Sequence, residues 1–494
     1  MPGAEQKNLP YGYRNQYISP VRAHSGQGKI WEYRVRDTFS GWFEGLTQRH
    51  PLILIFLVAL IVRCTNIAVV GAGGGRFIVE DDFFIQIAFE WAQFLGLMAG
   101  TPATDGFWER VPLFPLVIAF LSLFGAANPI GIAVANSIFD AGTCVVIGLL
   151  GCRIDRRLGL VAGLVAAIWP NLVIHSGVVL SDSLFVLIFT GMLYWSARYL
   201  AQPNYRTAAI AGLLLGLAVL TRPVAQFLIP AMTLAAFGIV LYQGESKRRA
   251  ILLAASLMVP AVLIIAPLVA HNQVKFGVSA LSSQSGTHLA YWIVPPVKRA
   301  ETGASLNKTV AEIRAAYETE RKRRELEKPN PFVSSQMLSS VALAELGSSS
   351  PIAIAKAWAK GMAVNLASPA ILIDTRVRAL ATQSFYGLEA PHFAAKVWRY
   401  VSGNGPIYMA LFLLGALGGV ATLGLSAYGF MLLWRHQPWA AAFAALAVLY
   451  FLLVNGPVAS PKYRLPIEPI MVILTAMGGL GLWDRFRGQK GSVG

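Results

Sequence analysis

Long apolar runs alternate with short polar turns along most of the chain, the pattern of helices that cross a bilayer. In order, the runs at 51–70, 127–152, 158–173, 184–200, 208–220, 224–242, 251–270, 406–434, 439–453 and 467–483 make ten predicted spans. Backbone polar groups in lipid must be satisfied within the chain, so helix is the expected element for each. Two further apolar segments fall in the first long loop. The first, 84–100, is interrupted by Gln86, Glu90 and Gln93, and the second, 111–125, is too short to cross, so both read as helices lying in the interface.

The polar turns set the orientation. Arg153, Arg156 and Arg157, then Arg206, Lys247 to Arg249, Arg435 and Arg485 with Arg487 fall at alternate ends of the spans, the side that positive charge keeps in the cytoplasm. Residues 1–50 then form a cytoplasmic arm carrying Lys7, Arg14, Arg22, Lys29, Arg34 and Arg36, without the apolar core of a cleavable signal peptide. Residues 51–270 form a seven-span catalytic module whose first outer loop is 71–126. Residues 271–403 are an extracytoplasmic and interfacial region, and 404–494 a C-terminal transmembrane module. Within the outer region, 308–328 is an amphipathic helix with Val310, Ile313 and Tyr317 on one face. The stretch 351–373, with Lys356 and Lys360 one turn apart, is expected to lie in the interface.

Composition narrows the class. At 55% hydrophobic and 13% charged residues, with a mean hydropathy of +0.55, the 494-residue chain is too apolar for a soluble globule. The fold class is therefore an all-α polytopic membrane protein. Its net charge of +16 is spread over many short loops instead of one stripe, so nucleic acid is not an expected partner. Cys64, Cys144 and Cys152 lie in or beside spans without metal-ligand spacing. The Gly-rich 71–76 lacks a following Gly-Lys-Ser/Thr and is a connector, not a phosphate loop.

Candidate chemistry gathers on the outer face. Glu80, Asp81 and Asp82 are adjacent at the mouth of the first span, an arrangement that costs energy unless a cation, substrate or proton occupies it. Glu109, Arg110, His175, Asp182, Arg222, His271, Asn272, Lys275, Lys462, Tyr463 and Arg464 come from the loops that follow the odd-numbered spans and so share that face. Inside the spans the ionisable residues are chiefly Arg63 and Asp140. Such a surface suits attack of an acceptor on a lipid-borne phosphate: a carboxylate takes a proton, and cations hold the departing charge. Individually, Asp82 also fits a helix cap and Arg464 a headgroup anchor.

The ordered motifs ALIVR (59–63), VPLFPLVIAFLSLFG (111–125), the span containing Asn136, WPNLVIHSGVVLSDSLF (169–185), GLAVLTRP (216–223), AHNQVKFG (270–277) and PKYRLPIEP (461–469) resemble the membrane-embedded C-type glycosyltransferases. The likeness is to the bacterial group related to protein O-mannosyltransferases and the lipid A aminoarabinose transferase, and covers about 53–300 and 455–482. It implies seven shared helices plus a variable C-terminal set, and inverting transfer of one sugar from a polyprenyl-phosphate donor. The family's acid pair maps onto Glu80-Asp81 or Asp81-Asp82, which makes these three the catalytic candidates. Arg464, Lys462, His271, Lys275 and Arg222 become candidate donor-phosphate ligands, and Asp182, His175, Tyr463 and Asn272 candidate substrate contacts. Asp182 sits where some relatives hold a metal, so a divalent cation, magnesium or manganese, is the cofactor the likeness allows. Departures are His271 where an arginine is common and Phe83 and Phe84 where tyrosines are common.

The expected activity is transfer of a sugar from a polyprenyl-phosphate donor to a glycan, lipid or protein acceptor, outside the bacterial inner membrane, with both termini cytoplasmic. The rivals are a glycan polymerase or ligase using a diphosphate-linked donor, and a transporter. Against transport stand the few ionisable groups at mid-membrane and the lack of a visible inverted repeat.

Overall fold

The computed structural model describes residues 50–72, 83–102, 106–383, 385, 388 and 390–490, and no strand occurs among them. The α-helices in chain order are α1 (His50–Ala72), α2 (Phe83–Phe94), α3 (Leu113–Ser122), α4 (Pro129–Cys152), α5 (Arg156–Ala167), α6 (Pro170–Ser176) and α7 (Asp182–Ala201). They continue with α8 (Tyr205–Thr221), α9 (Leu228–Tyr242), α10 (Lys247–Phe276), α11 (Gln284–His288), α12 (Val294–Thr302), α13 (Leu306–Arg323), α14 (Pro331–Ser348) and α15 (Pro351–Ala367). The last are α16 (Thr375–Ala379), α17 (Phe393–Gly403), α18 (Pro406–His436), α19 (Pro438–Asn455) and α20 (Glu468–Lys490).

Among the described residues, eight helices are long and apolar enough to cross a membrane, or ten if each of two bent pairs is one span. The protein is thus a multi-pass helical membrane protein. The membership differs from the sequence pattern. The expected span 158–173 is broken: α5 and α6 meet at 49°, where Pro170 cannot supply a backbone N–H to continue the helix. The expected span 208–220 is α8, whose 17 residues reach about 26 Å, just short of a ~30 Å hydrocarbon core. The second bent pair is α14 with α15, turned by 111° at the break before Pro351, and α15 covers most of the stretch expected to lie in the interface. The short helices α2 and α3 occur where interfacial helices were expected, and α13 buries Ile313 as its amphipathic pattern requires.

Small residues let the membrane helices approach closely. A Cβ on Gly212 of α8 would stand 1.9 Å from the Leu257 carbonyl oxygen of α10, and one on Gly429 of α18 would stand 1.9 Å from that of Leu474 on α20. Helix α20 runs through the interior, whereas α18 is almost wholly open on its outer side. The mid-membrane ionisable residues form one buried pair: Arg63 donates to Asp140, to the Ala167 carbonyl at 2.7 Å and to the Ala59 carbonyl at 3.0 Å. This joins α1, α4 and the end of α5, with the guanidinium fully buried. At the basic ends of the helices, Arg157 donates to both carboxylate oxygens of Asp484, at 2.8 and 3.1 Å, so the start of α5 and the tail of α20 lie on one side.

Candidate active site

The helix ends away from those basic turns enclose a cavity of about 1010 Å³. Its charged half is built from four places in the chain. Asp182 is the first residue of α7, and Arg222 follows the end of α8, where Pro223 opens a 3-10 turn. Glu109 and Arg110 come from the turn before α3, and Lys462 with Tyr463 from the short 3-10 segment leading into α20.

Asp182 is almost fully buried, at 2% exposure, and accepts a hydrogen bond from Arg222, whose guanidinium carbon lies 5.8 Å from the centre of the Phe185 ring. Burial lowers the pKa of Arg222 from the ordinary arginine range. Glu109 shifts in the opposite sense: burial pushes its carboxyl above the usual glutamate range, partly offset by Arg110. Arg110 lies over the Phe84 ring at 5.1 Å. The Gln284 side-chain amide is 2.9–3.2 Å from three nitrogens of Arg110, so its oxygen faces the guanidinium.

The segment carrying Lys462 and Tyr463 is held from four helices. Asn365 of α15 donates to the Val458 carbonyl and accepts from the Ser460 N–H, both at 2.9 Å. Asn171 of α6 donates to the Pro461 carbonyl at 3.0 Å, and Asn455 of α19 to that of Tyr463 at 3.1 Å. The centre of this strap is Glu468 of α20, fully buried. Its carboxylate accepts from Trp169 Nε1 at 2.7 Å, Asn171 Nδ2 at 2.6 Å and Arg464 Nε at 2.7 Å.

Of the residues singled out from the sequence, Asp182, Arg222, Lys462 and Tyr463 meet at the cavity. Arg464 is turned from it: besides Glu468, it donates to the Leu366 and Ser368 carbonyls at 2.7 and 3.1 Å and anchors the strap. His271 stacks on Trp108 with ring centres 3.6 Å apart, behind the lining. Asn272 is buried and donates to the Ala280 carbonyl at 2.7 Å, fixing the loop after α10. His175 is buried in α6 with Nδ1 2.8 Å from the Asn171 carbonyl, and Lys275 is exposed beside the Phe276 ring. Glu80, Asp81 and Asp82 lie outside the described residues, although Phe84, two positions after Asp82, lines the cavity. The described residues do not by themselves build a site for a divalent cation: they contain no group of three or more His, Cys, Asp or Glu, and Asp182 already bonds Arg222.

Residues 109–271, a third of the chain, match the family of dolichyl-phosphate-mannose-protein mannosyltransferases. No curated protein matches the chain significantly. Among solved structures, it is similar to the archaeal oligosaccharyltransferase AglB from Archaeoglobus fulgidus in complex with an inhibitory peptide and a dolichol-phosphate. That likeness has 13% identity and a TM-score of 0.49, over 92% of this chain and 53% of that one. It is also similar to ArnT from Cupriavidus metallidurans bound to undecaprenyl phosphate, with 14% identity and a TM-score of 0.35, over 87% of this chain and 77% of that one. The chain spans about half the length of the archaeal oligosaccharyltransferases it matches. The matched stretch contains Glu109, Arg110, Asp182 and Arg222, while the strap and the loop after α10 lie beyond it.

Five contributors were either missed by the sequence reading or given no role in it. Glu109 and Arg110 were placed on the outer face but given no role, though adjacent opposite charges between two interfacial helices are a usable signal. Glu468 went unremarked, although it stands four residues after Arg464 at the start of an apolar run. His288 and Trp292, both lining the cavity, carry no pattern in the sequence that separates them from ordinary core.

Proposed function

We propose that this chain transfers a sugar from a polyprenyl-phosphate donor to an acceptor hydroxyl at the extracytoplasmic membrane surface. The observation that carries the proposal is a cavity at the ends of the membrane helices lined by Arg222, Lys462, Arg110 and the buried Asp182, of which Arg110, Asp182 and Arg222 fall within the stretch matching a dolichyl-phosphate-mannose-dependent mannosyltransferase family. A lipid-linked donor presents its phosphate at that depth, where cations act with little water to screen them.

The acceptor oxygen attacks the anomeric carbon from the face opposite the phosphate. The bond from carbon to phosphate oxygen breaks, its electron pair stays on the phosphate, and the acceptor proton passes to a carboxylate among Glu80, Asp81 and Asp82. Arg222 and Lys462 hold the developing phosphate charge; Asp182 keeps Arg222 extended into the cavity. Arg464 acts through the strap that presents Lys462.

The test is sugar transfer from synthetic polyprenyl-phosphate sugars by the full chain in proteoliposomes. One of Glu80→Gln, Asp81→Asn and Asp82→Asn should lower kcat by about 10²–10⁴, the usual worth of a general base. Lys462→Ala should raise the donor KM. Undiminished transfer in all three acid variants would sink the assignment of the base, and no transfer by the wild type from any such donor would sink the function.

A further inference from the structure

The two halves of the cavity differ in chemistry. Beside the charged half stands a wall from 279–292 and 329–338, and among its described lining residues there is no Asp, Glu, Lys or Arg. It offers hydroxyls instead: Ser282, Ser285, Thr287 and Ser334 line the space. His288 is the titratable member, and burial together with the nearby charge of Arg222 lowers its pKa, so it stands as a neutral imidazole.

One side chain on this wall is large and open. Trp292 is 51% exposed and lines the same cavity as those hydroxyls, so much of its indole is left uncovered. It sits in a π-helical turn, Leu289–Ile293, between α11 and α12. Such turns shift the faces that side chains occupy and recur at functional sites. The wall is also rigid. Gly286 of α11 donates its N–H to Ser335 Oγ of α14 at 3.0 Å, and a Cβ at Gly286 would stand 2.0 Å from the Ser335 carbonyl oxygen.

We infer that this wall is an acceptor subsite for a neutral saccharide, with Trp292 as the stacking platform. A sugar ring has a face of C–H bonds and a rim of hydroxyls, and the wall supplies an open aromatic face with short neutral donors and acceptors around it. An anionic lipid headgroup would call for cations, and the wall carries none of its own. A peptide acceptor would call for an open backbone edge or side-chain pockets. The inference rests on the glycosyl-transfer function proposed above and names its acceptor class.

The test is binding without donor. The full chain in detergent is titrated with manno-, gluco- and galacto-tetraoses and with a Ser/Thr-containing peptide, by saturation-transfer NMR. At least one tetraose should bind with its ring C–H protons saturated. Trp292→Ala should weaken binding about fivefold or more and Trp292→Phe should largely keep it, in line with the worth of an aromatic contact. Gly286→Ala, which pushes α11 from α14, should weaken binding with Trp292 intact. Binding of the peptide and of no saccharide, or saccharide binding unchanged in a folded Trp292→Ala, would overturn the subsite. Donor turnover by the wild type, measured separately, reports on the proposed function itself: saccharide binding without turnover sinks only that function, and turnover without saccharide binding sinks only the subsite.

Discussion

Glu468 is the residue on which the strap depends. Its carboxylate is fully buried and meets three donors, so removing its charge leaves Arg464 without its anionic partner in a site with little water. Breaking one side of a buried pair costs roughly 3–5 kcal/mol, and Glu468→Gln should lose stability toward that range, read as a lower unfolding midpoint in detergent. Glu109 gives a pH signature. Its carboxyl is held above the usual range, so the folded state keeps the proton where the unfolded chain has released it. Stability therefore falls as pH rises from the ordinary glutamate range through the raised value. Glu109→Gln should flatten that part of a midpoint-against-pH curve while leaving the acidic end unchanged.

Individual residues were legible in the sequence only where charge met an unusual setting. Asp182 and Arg222 stood out as outer-face charges, and the fold pairs them across 40 positions. Arg464 stood out equally, yet its guanidinium is spent on Glu468 and backbone carbonyls, because the carbonyl ends of α15 lie against it. Nothing local separates an arginine that faces a substrate from one that ties down a loop.

At the level of elements, period and length carried most of the prediction. Helices such as α4, α7 and α10 declare themselves by uninterrupted apolar runs, and α13 by its three-residue apolar face. The bent α14–α15 pair did not, since Ser334, Ser335, Ser339 and Ser340 dilute its first arm below the appearance of a membrane segment. Close helix pairs are the point at which an element is easiest to break. Gly212→Leu places a branched side chain where Leu257 backbone already stands, so α8 and α10 must separate. The variant should unfold at clearly lower temperature in detergent, whereas Gly238→Leu on α9, where a Cβ would have open space, should not.

For the molecule as a whole, the polar ends of the spans divide into a basic side and a cavity side, and the ion pair of Arg157 with Asp484 ties distant parts of the basic side together. Under the proposed orientation, a cysteine at Ser305 should react with an impermeant thiol reagent in intact spheroplasts, and one at Ser246 only after lysis, in a background with Cys64, Cys144 and Cys152 replaced. The reverse labelling would turn the protein over and put the cavity in the cytoplasm, where a nucleotide-linked donor would be the natural substrate.

The length of α10 bears on how two substrates reach one site. Its 30 residues span about 45 Å against a hydrocarbon core of about 30 Å. Standing upright with Lys247, Arg248 and Arg249 at one headgroup layer, the helix would reach beyond the other. From its top, Asn272 secures the loop that begins the neutral wall. Under the proposed orientation, the part of that wall formed by 279–292 would follow the top of α10, with Asp182 at the head of α7 beside it. Under the proposed function, a greasy donor and a water-borne acceptor would then approach from different phases, and neither would have to leave its own solvent before they meet.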